Sequence, residues 1–121
     1  MSEELLTRLG CLFYAIAKAD NNLSFHEYFK LTEILEKHWQ HIGETNIAYI
    51  KSKFNTLQEN NAAAAACFNA FLEFLHQYPN LFDDEFKTLI LKTANEIAYA
   101  YAKINKSELN FMARLSLEFK K

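Results

Sequence analysis

Hydrophobic residues recur every three or four positions along most of the chain, which is the spacing that places side chains on one face of an α-helix. The first such stretch covers residues 3–20. Its apolar positions are Leu5, Leu9, Leu12, Phe13 and Ile16. This pattern predicts an amphipathic helix that packs against the rest of the protein through one face.

Five further stretches repeat this spacing and predict five more helices. They cover residues 24–42, 45–58, 62–78, about 83–98 and 106–119. Residues that end helices stand between several of them. Gly43 suits the left-handed conformation that closes a helix, Asn60 with Asn61 interrupts the third stretch, and Pro79 with Asn80 ends the fourth.

Short connections between all six stretches favour helices that lie beside their sequence neighbours. Half of the residues are hydrophobic and eleven are Phe, which is enough apolar material for a core without disulfides or metals. Two glycines and one proline are too few for a turn-rich β fold. We therefore predict an all-α fold, a compact bundle of about six helices forming a single domain over residues 1–121.

Two of the predicted helix starts share the same chemistry. At the first, Ser24 is placed to cap the helix while Glu27 reaches back to the cap, and at the second Asn105 and Glu108 hold the same positions. Each start is flanked by an apolar staple pair, which is Leu23 with Tyr28 and Ile104 with Leu109. This coincidence predicts an internal duplication, with two helical hairpins related by a pseudo-two-fold axis.

The segment 15–27 around the first start resembles the signature of the TerB-like family, roughly A-x-A-D-G-x-[ILV]-[ST]-x-x-E. The family includes tellurite-resistance TerB proteins and the N-terminal domain of the DjlA co-chaperones. The matching residues are Ala17, Ala19, Asp20, Leu23, Ser24 and Glu27. Asn21 stands where the family usually has Gly, and Asn is well able to adopt the left-handed conformation of such a turn.

The second copy of the signature departs further from the family pattern. It keeps Ala98, Ala100, Ile104, Asn105 and Glu108. Tyr101 replaces the aspartate and Ala102 the glycine. The resemblance implies an all-helical domain associated with tellurite and other chemical stress, in which acidic clusters have been taken as metal sites. A metal site built from two such aspartates is in doubt here, because only Asp20 remains.

The first predicted turn is the main candidate for a metal site. Its oxygen-bearing residues are Asp20, Asn22, Ser24 and Glu27. Oxygen donors suit Ca²⁺ or Mg²⁺, whereas an EF-hand is excluded because Phe25 holds the position that would require Gly. The alternative is that Ser24 and Glu27 cap the helix while the other two side chains satisfy turn amides.

Two further groups of polar residues have paired interpretations. His38 and His41 are spaced to share a metal, with Glu44 as a third ligand, or else His38 is a histidine at the edge of the core, hydrogen-bonded to backbone or water. The acidic run 83–85 either receives a basic partner or cation, or complements the dipole at the start of the fifth helix.

The aromatic residues and cysteines carry weaker signals. Three aromatic residues have two interpretations: they line a ligand pocket between helices, or they belong to the core. They are Trp39, Tyr99 and Tyr101. Cys11 and Cys67 fall in apolar segments, without a Cys/His metal pattern, and are interpreted as buried thiols of a reducing compartment. No nucleophile has a neighbouring base in the sequence, so an enzyme is the least favoured class.

Charge narrows the remaining classes of partner. The net charge is −2 with no basic stripe, which argues against nucleic acid. No signal peptide or membrane span is expected, so we predict a cytoplasmic protein.

The predicted function is a non-enzymatic TerB-like stress-response domain that binds a protein partner or small ligand. The alternative is a protein that binds a divalent metal, with Ca²⁺ or Mg²⁺ as its cofactor. The sequence is also compatible with a homodimer.

Overall fold

The computed structural model describes the backbone of residues 1–18, 25–100 and 106–121, and the side chains of 1–18, 30–100 and 110–121. Within these ranges the chain forms α-helices and two short 3₁₀ helices, and no strand. The α-helices are α1 (Glu3–Lys18), α2 (Phe25–His38), α3 (Glu44–Glu59), α4 (Ala64–Gln77), α5 (Asp84–Ala100) and α6 (Lys106–Lys120). The 3₁₀ helices are Gln40–Ile42 and Pro79–Leu81. The predicted all-α bundle of about six helices is confirmed.

Helix α1 lies at the centre of the bundle, in contact with α3, α4, α5 and α6. Every residue from Leu12 to Ala17 is fully buried. Tyr14 lies within this stretch, and its hydroxyl donates a hydrogen bond of 2.8 Å to the Ala62 carbonyl. The prediction of a single apolar face was therefore too narrow, because the second half of α1 is enclosed on all sides.

The second helix is shorter than the pattern predicted. It ends at His38, and Gln40–Ile42 forms a separate 3₁₀ turn. Between them Trp39 is fully buried and its indole Nε1 donates to Thr93 Oγ1 on α5 at 2.8 Å. This anchoring of the indole marks the place where the chain leaves the helical path, which apolar spacing alone does not reveal.

Two residues with positive φ mark the predicted breaks. Gly43 has φ 91° and ψ 155°, a conformation open essentially to glycine, and it precedes α3 instead of closing α2. Asn61 has φ 50°, the left-handed conformation, directly after α3. Ala62 N then donates to the Leu57 carbonyl at 3.0 Å, satisfying one of the last carbonyls of the helix.

The core is a single cluster that draws apolar side chains from every helix. The predicted inward residues Ile50, Phe54, Phe68, Phe71 and Ile97 are all fully buried. Aromatic rings meet edge-to-face within this cluster, as Phe13 does with Trp39 at 5.7 Å. Packing through so many large rings fixes the relative positions of the helices.

The predicted duplication joins its helices at Leu23–Glu27 and Ile104–Glu108, and residues 19–24 and 101–105 lie outside the described residues, so the pseudo-two-fold repeat is not confirmed. Lys30 Nζ on α2 donates to the carbonyl of Ala100, the last residue of α5, at 2.7 Å. Among the residues described, none of the helices combines the length and hydrophobicity that crossing a bilayer requires. The single domain over 1–121 stays a prediction.

Candidate functional site

The predicted metal turn falls almost wholly outside the structure that is described. Asp20, Asn22 and Ser24 lie outside the described residues, and of Glu27 only the backbone, in the first turn of α2, is described. Helix α2 begins at Phe25, where the capping pattern predicted a helix start. The metal site itself stays a prediction.

The two histidines take separate roles. His38 Nε2 lies 2.7 Å from Glu96 Oε2 on α5, and Glu96 Oε1 also pairs with Lys37 at 3.6 Å. His41 instead stacks on the Trp39 indole, with ring centroids 6.3 Å apart. In the part of the chain that the structure describes, no three His, Cys, Asp or Glu side chains are grouped to hold a metal. His38 does lie at the core edge, and the partner of its Nε2 is the Glu96 carboxylate.

The predicted aromatic pocket is wrong for the residues that can be checked. Trp39 is fully buried, whereas Tyr99 is 72% exposed. Tyr101 lies outside the described residues. A buried indole and an exposed phenol cannot line one pocket, so Trp39 belongs to the core.

A surface cleft of about 650 Å³ forms where the start of α1, the 3₁₀ turn Gln40–Ile42 and the start of α5 meet. Its lining combines apolar side chains with two carboxylates and one imidazole. The lining residues are Met1, Ser2, Leu5, His41, Leu81, Asp83, Glu85, Phe86 and Leu89. Leu81 is 49% exposed, so part of the apolar lining of the cleft is open to solvent. The cleft therefore offers an apolar floor beside an acidic edge.

Ser2, His41 and Asp83 in this cleft are the residue types of a hydrolytic triad, but they are not assembled as one. Ser2 Oγ accepts a hydrogen bond from Leu5 N at 3.1 Å, and Asp83 Oδ1 accepts one from Phe86 N at 2.8 Å. Both side chains thus cap helices. Within the described residues, no hydrogen bond joins His41 to either of them. The cleft lacks the nucleophile–base contact that covalent catalysis requires.

Sequence reasoning found parts of this cleft separately. The interpretation of Asp83 as a residue that stabilises the start of α5 is supported by its cap, and the same residue also borders the cleft. Ser2 was missed, although a serine followed by Glu3 and Glu4 is a typical helix start. Leu81 gave no signal, because its place in the cleft depends on tertiary packing.

A second cleft, of about 800 Å³, lies between α2 and α3. Its lining residues are Glu36, Gln40, Gly43, Glu44, Ile47, Ala48 and Lys51. Only Ile47 and Ala48 are apolar, and Ile47 is already buried in the core. The lining of the second cleft is therefore more polar than that of the first.

Away from the clefts, the structure joins the two cysteines that the sequence treated separately. Cys11 on α1 lies opposite Cys67 on α4, because Arg8 bonds to the Ala70 carbonyl and Tyr14 to the Ala62 carbonyl along the same pair of segments. Cys67 is buried as predicted, whereas Cys11 is partly exposed. The spacing along the chain gave no indication of this contact.

The bundle and its cleft define a class, an all-helical domain with a surface cleft lined by apolar and acidic side chains. The family model described as "Tellurite resistance protein TerB" matches residues 7–120. The chain therefore belongs to the TerB family, and the resemblance seen in the sequence is confirmed. Comparisons with curated proteins and with solved structures gave no match.

Proposed function

We propose that this TerB-family chain is a non-enzymatic accessory domain of a stress response, and that it binds a protein partner through the cleft at the start of α1 and α5. The observation that carries the proposal is the exposed Leu81 beside the carboxylates of Asp83 and Glu85. The matching partner segment has an apolar side chain flanked by Lys or Arg. A small cationic ligand is the alternative occupant.

The cleft supports binding more than catalysis. Its hydroxyl and one of its carboxylates, on Ser2 and Asp83, already cap helices. Its apolar residues Leu5 and Phe86 are held on the first turns of α1 and α5, so the floor is rigid. Rigid apolar surface lowers the entropic cost of association. An acidic edge adds electrostatic steering of a basic segment.

The test compares two matched substitutions of exposed leucines. Leu81→Glu places a charge in the cleft, and Leu117→Glu makes the same change on α6, where Leu117 is 62% exposed. Partners are captured from the native cell with the wild-type chain, identified, and then titrated in purified form. We expect Leu81→Glu to weaken binding at least about tenfold, which corresponds to about 1.4 kcal/mol, while Leu117→Glu leaves it unchanged.

A second pair of variants tests the acidic edge. Glu85→Lys reverses a charge beside the cleft and should weaken the binding of a basic partner. Glu73→Lys, the matched control, reverses an exposed charge on α4 and should leave that binding unchanged. Cross-links from the partner should map to the cleft. A partner that binds all four variants equally overturns the proposal. Native mass spectrometry that shows a bound small molecule, lost in Leu81→Glu, would assign the cleft to the alternative ligand.

The second candidate function is divalent-metal binding by Asp20, Asn22, Ser24 and Glu27. The contact between Lys30 and Ala100 supports it, because it joins α2, which follows the first predicted turn, to the last residue of α5, which precedes the second. The loss of the second aspartate leaves Asp20 as the main charged ligand, so the expected affinity is weak.

Isothermal titration of the full chain with Ca²⁺, Mg²⁺ and Zn²⁺ tests the metal candidate. Asp20→Asn keeps hydrogen-bonding capacity in the turn but removes the charge, so it should abolish the binding heat without unfolding the protein. Ser24→Ala is the control for capping, since it should lower stability with or without metal. Absence of both heat and thermal shift at millimolar metal ends this candidate.

A further inference from the structure

Cys11 and Cys67 meet where α1 and α4 pack, the most extensive helix pairing in the molecule. Alanines open α4, and their small side chains allow the two helices to approach closely. The register of this pairing sets Cys11 opposite Cys67, because Arg8 donates to the Ala70 carbonyl at 2.6 Å and Tyr14 donates to the Ala62 carbonyl at 2.8 Å. Two thiols far apart in the chain are thereby held in contact in the folded protein.

The two sulfurs have different environments. Cys11 is partly exposed, and Arg8 and Lys53 place positive charge near it. The Arg8 guanidinium is fixed there, since it donates to the Ala70 carbonyl at 2.6 Å. Cys67 is only 6% exposed. Cys11 is therefore the more exposed residue of the pair.

The surroundings of the two thiols also give them different pKa values. The hydrogen bond from Cys67, followed by the charges of Arg8 and Lys53, lowers the pKa of Cys11 to about 7. The same hydrogen bond, with burial, raises the pKa of Cys67. At neutral pH a large share of Cys11 is thiolate, the nucleophilic form, while Cys67 keeps its proton.

We propose that Cys11 and Cys67 form a peroxide-reactive thiol pair, in which Cys11 is the nucleophile and Cys67 the resolving thiol of an intramolecular disulfide. The oxidant is a hydroperoxide, hydrogen peroxide being the simplest. Such a disulfide would be transient in a reducing compartment, where permanent disulfides are rare.

The reaction balances in two steps. The Cys11 thiolate attacks one peroxide oxygen, the O–O bond breaks, and the leaving oxygen takes a proton and departs as water or an alcohol. Cys11 is thereby oxidised by two electrons to a sulfenic acid and the peroxide is reduced. The Cys67 sulfur then attacks the Cys11 sulfur, forming the S–S bond. The S–O bond breaks and hydroxide leaves with the Cys67 proton as water.

The first step prepares the second. Once Cys11 is a sulfenic acid, it no longer carries the negative charge that raises the pKa of Cys67. The resolving thiol then loses its proton more readily. Closing the sulfurs from hydrogen-bond contact to the S–S length of about 2.05 Å requires side-chain rotation and a small shift of the first turns of α4.

The experiment uses the full chain, reduced and then treated with hydrogen peroxide near pH 7. We expect loss of both free thiols, a cross-linked Cys11–Cys67 peptide by mass spectrometry, and full reversal by dithiothreitol. In Cys67→Ala, Cys11 should accumulate as a sulfenic acid that dimedone traps. In Cys11→Ala, Cys67 should stay reduced, because it is buried. Circular dichroism checks that each variant is folded.

A rate measurement separates a reactive Cys11 from a merely accessible one. The rate of Cys11 alkylation by iodoacetamide should rise with pH through a midpoint near 7. Lys53→Met should move that midpoint upward and slow the reaction at pH 7 severalfold. Lys51→Met, on the same helix, is the matched control and should leave the profile unchanged. Intact thiols after peroxide, or disulfides found only between molecules, overturn the proposal.

Discussion

The hydrogen bond between Trp39 and Thr93 connects two fully buried side chains on different segments. The Thr93 hydroxyl accepts from the indole at 2.8 Å and donates to the Leu89 carbonyl at 2.8 Å. The Thr93 hydroxyl thereby provides a hydrogen-bond partner for the indole N–H, the only polar group of the tryptophan side chain. Without it, the indole N–H would be buried with no partner, which is costly in a low-dielectric interior.

Thr93→Val removes this hydroxyl at nearly constant volume. We expect the free energy of unfolding to fall by about 1–3 kcal/mol, the cost of an unsatisfied buried donor. Urea denaturation followed by fluorescence is a direct measurement, since Trp39 is the single tryptophan of the chain. Thr88→Val is the control, because Thr88 Oγ1 makes the same kind of bond, 2.9 Å to the Asp84 carbonyl, on the exposed face of α5. Equal losses in both variants would contradict the prediction.

At the residue scale, the sequence predicts local interactions better than distant ones. Asp83 precedes its helix directly, so its role at the start of α5 follows from neighbouring residues. The pairings of His38 with Glu96 and of Cys11 with Cys67 join residues on different helices. Nothing in the spacing of those residues encodes the packing that brings them together.

The close approach of α1 to α3 depends on Gly10. A β-carbon added at Gly10 would lie 3.0 Å from Lys53 Cβ and 3.4 Å from the Ile50 carbonyl oxygen. Lys53 Cβ is attached directly to the backbone of α3, so it cannot move unless the helix moves. The glycine therefore sets the distance between the two helices.

Gly10→Ala sets two effects against each other. Alanine favours the helix by about 1 kcal/mol over glycine, whereas overpacking a tight contact costs about 1–3 kcal/mol. We expect a net loss of about 1 kcal/mol, measured by chemical denaturation. In a Lys53→Gly background the closest contact is gone, so the same change should become neutral or stabilising. An identical loss in both backgrounds would show that the close approach is not the cause.

At the element scale, helix spacing and breaking residues predicted six helices with ends near those observed. The clearest error is the end of α2, because the apolar period continues past His38 into the 3₁₀ turn Gln40–Ile42. The hydrophobic period reflects which side chains are buried. The side chains of Trp39 and Ile42 still face the core after the helix ends. A change of backbone path that preserves inward positions is invisible to such a pattern.

At the scale of the whole molecule, the all-α bundle was predictable and its assembly was not. Composition and period indicate helices, but they do not say that α1 becomes the central element. The cleft has the same origin, since Leu81 and His41 come from turns at different points of the chain. The sequence therefore predicted three polar members of the candidate site, His41, Asp83 and Glu85, without predicting the site.

The C-terminal helix is joined to α4 by a charged contact. His76 on α4 hydrogen bonds to Glu118 on α6, and Lys121 Nζ lies 3.1 Å from the other Glu118 oxygen. The His76 hydrogen bond, followed by that of Lys121, lowers the pKa of the Glu118 carboxyl below its usual range. The ionised carboxylate is thus favoured in the folded state relative to the unfolded state.

This lowered pKa makes the stability of the whole molecule depend on pH in a defined direction. The contribution of Glu118 is complete above the unfolded pKa of about 4.3 and is lost as the pH falls through the lower folded value. Glu118→Gln should therefore cost up to about 1 kcal/mol near pH 6, and this deficit should shrink near pH 3. Urea denaturation at both pH values measures it. Glu73→Gln, an exposed change on α4, should stay within about 0.5 kcal/mol of wild type at both. A Glu118→Gln deficit that is equal at the two pH values would mean that lost packing, and not the carboxylate charge, holds α6 in place.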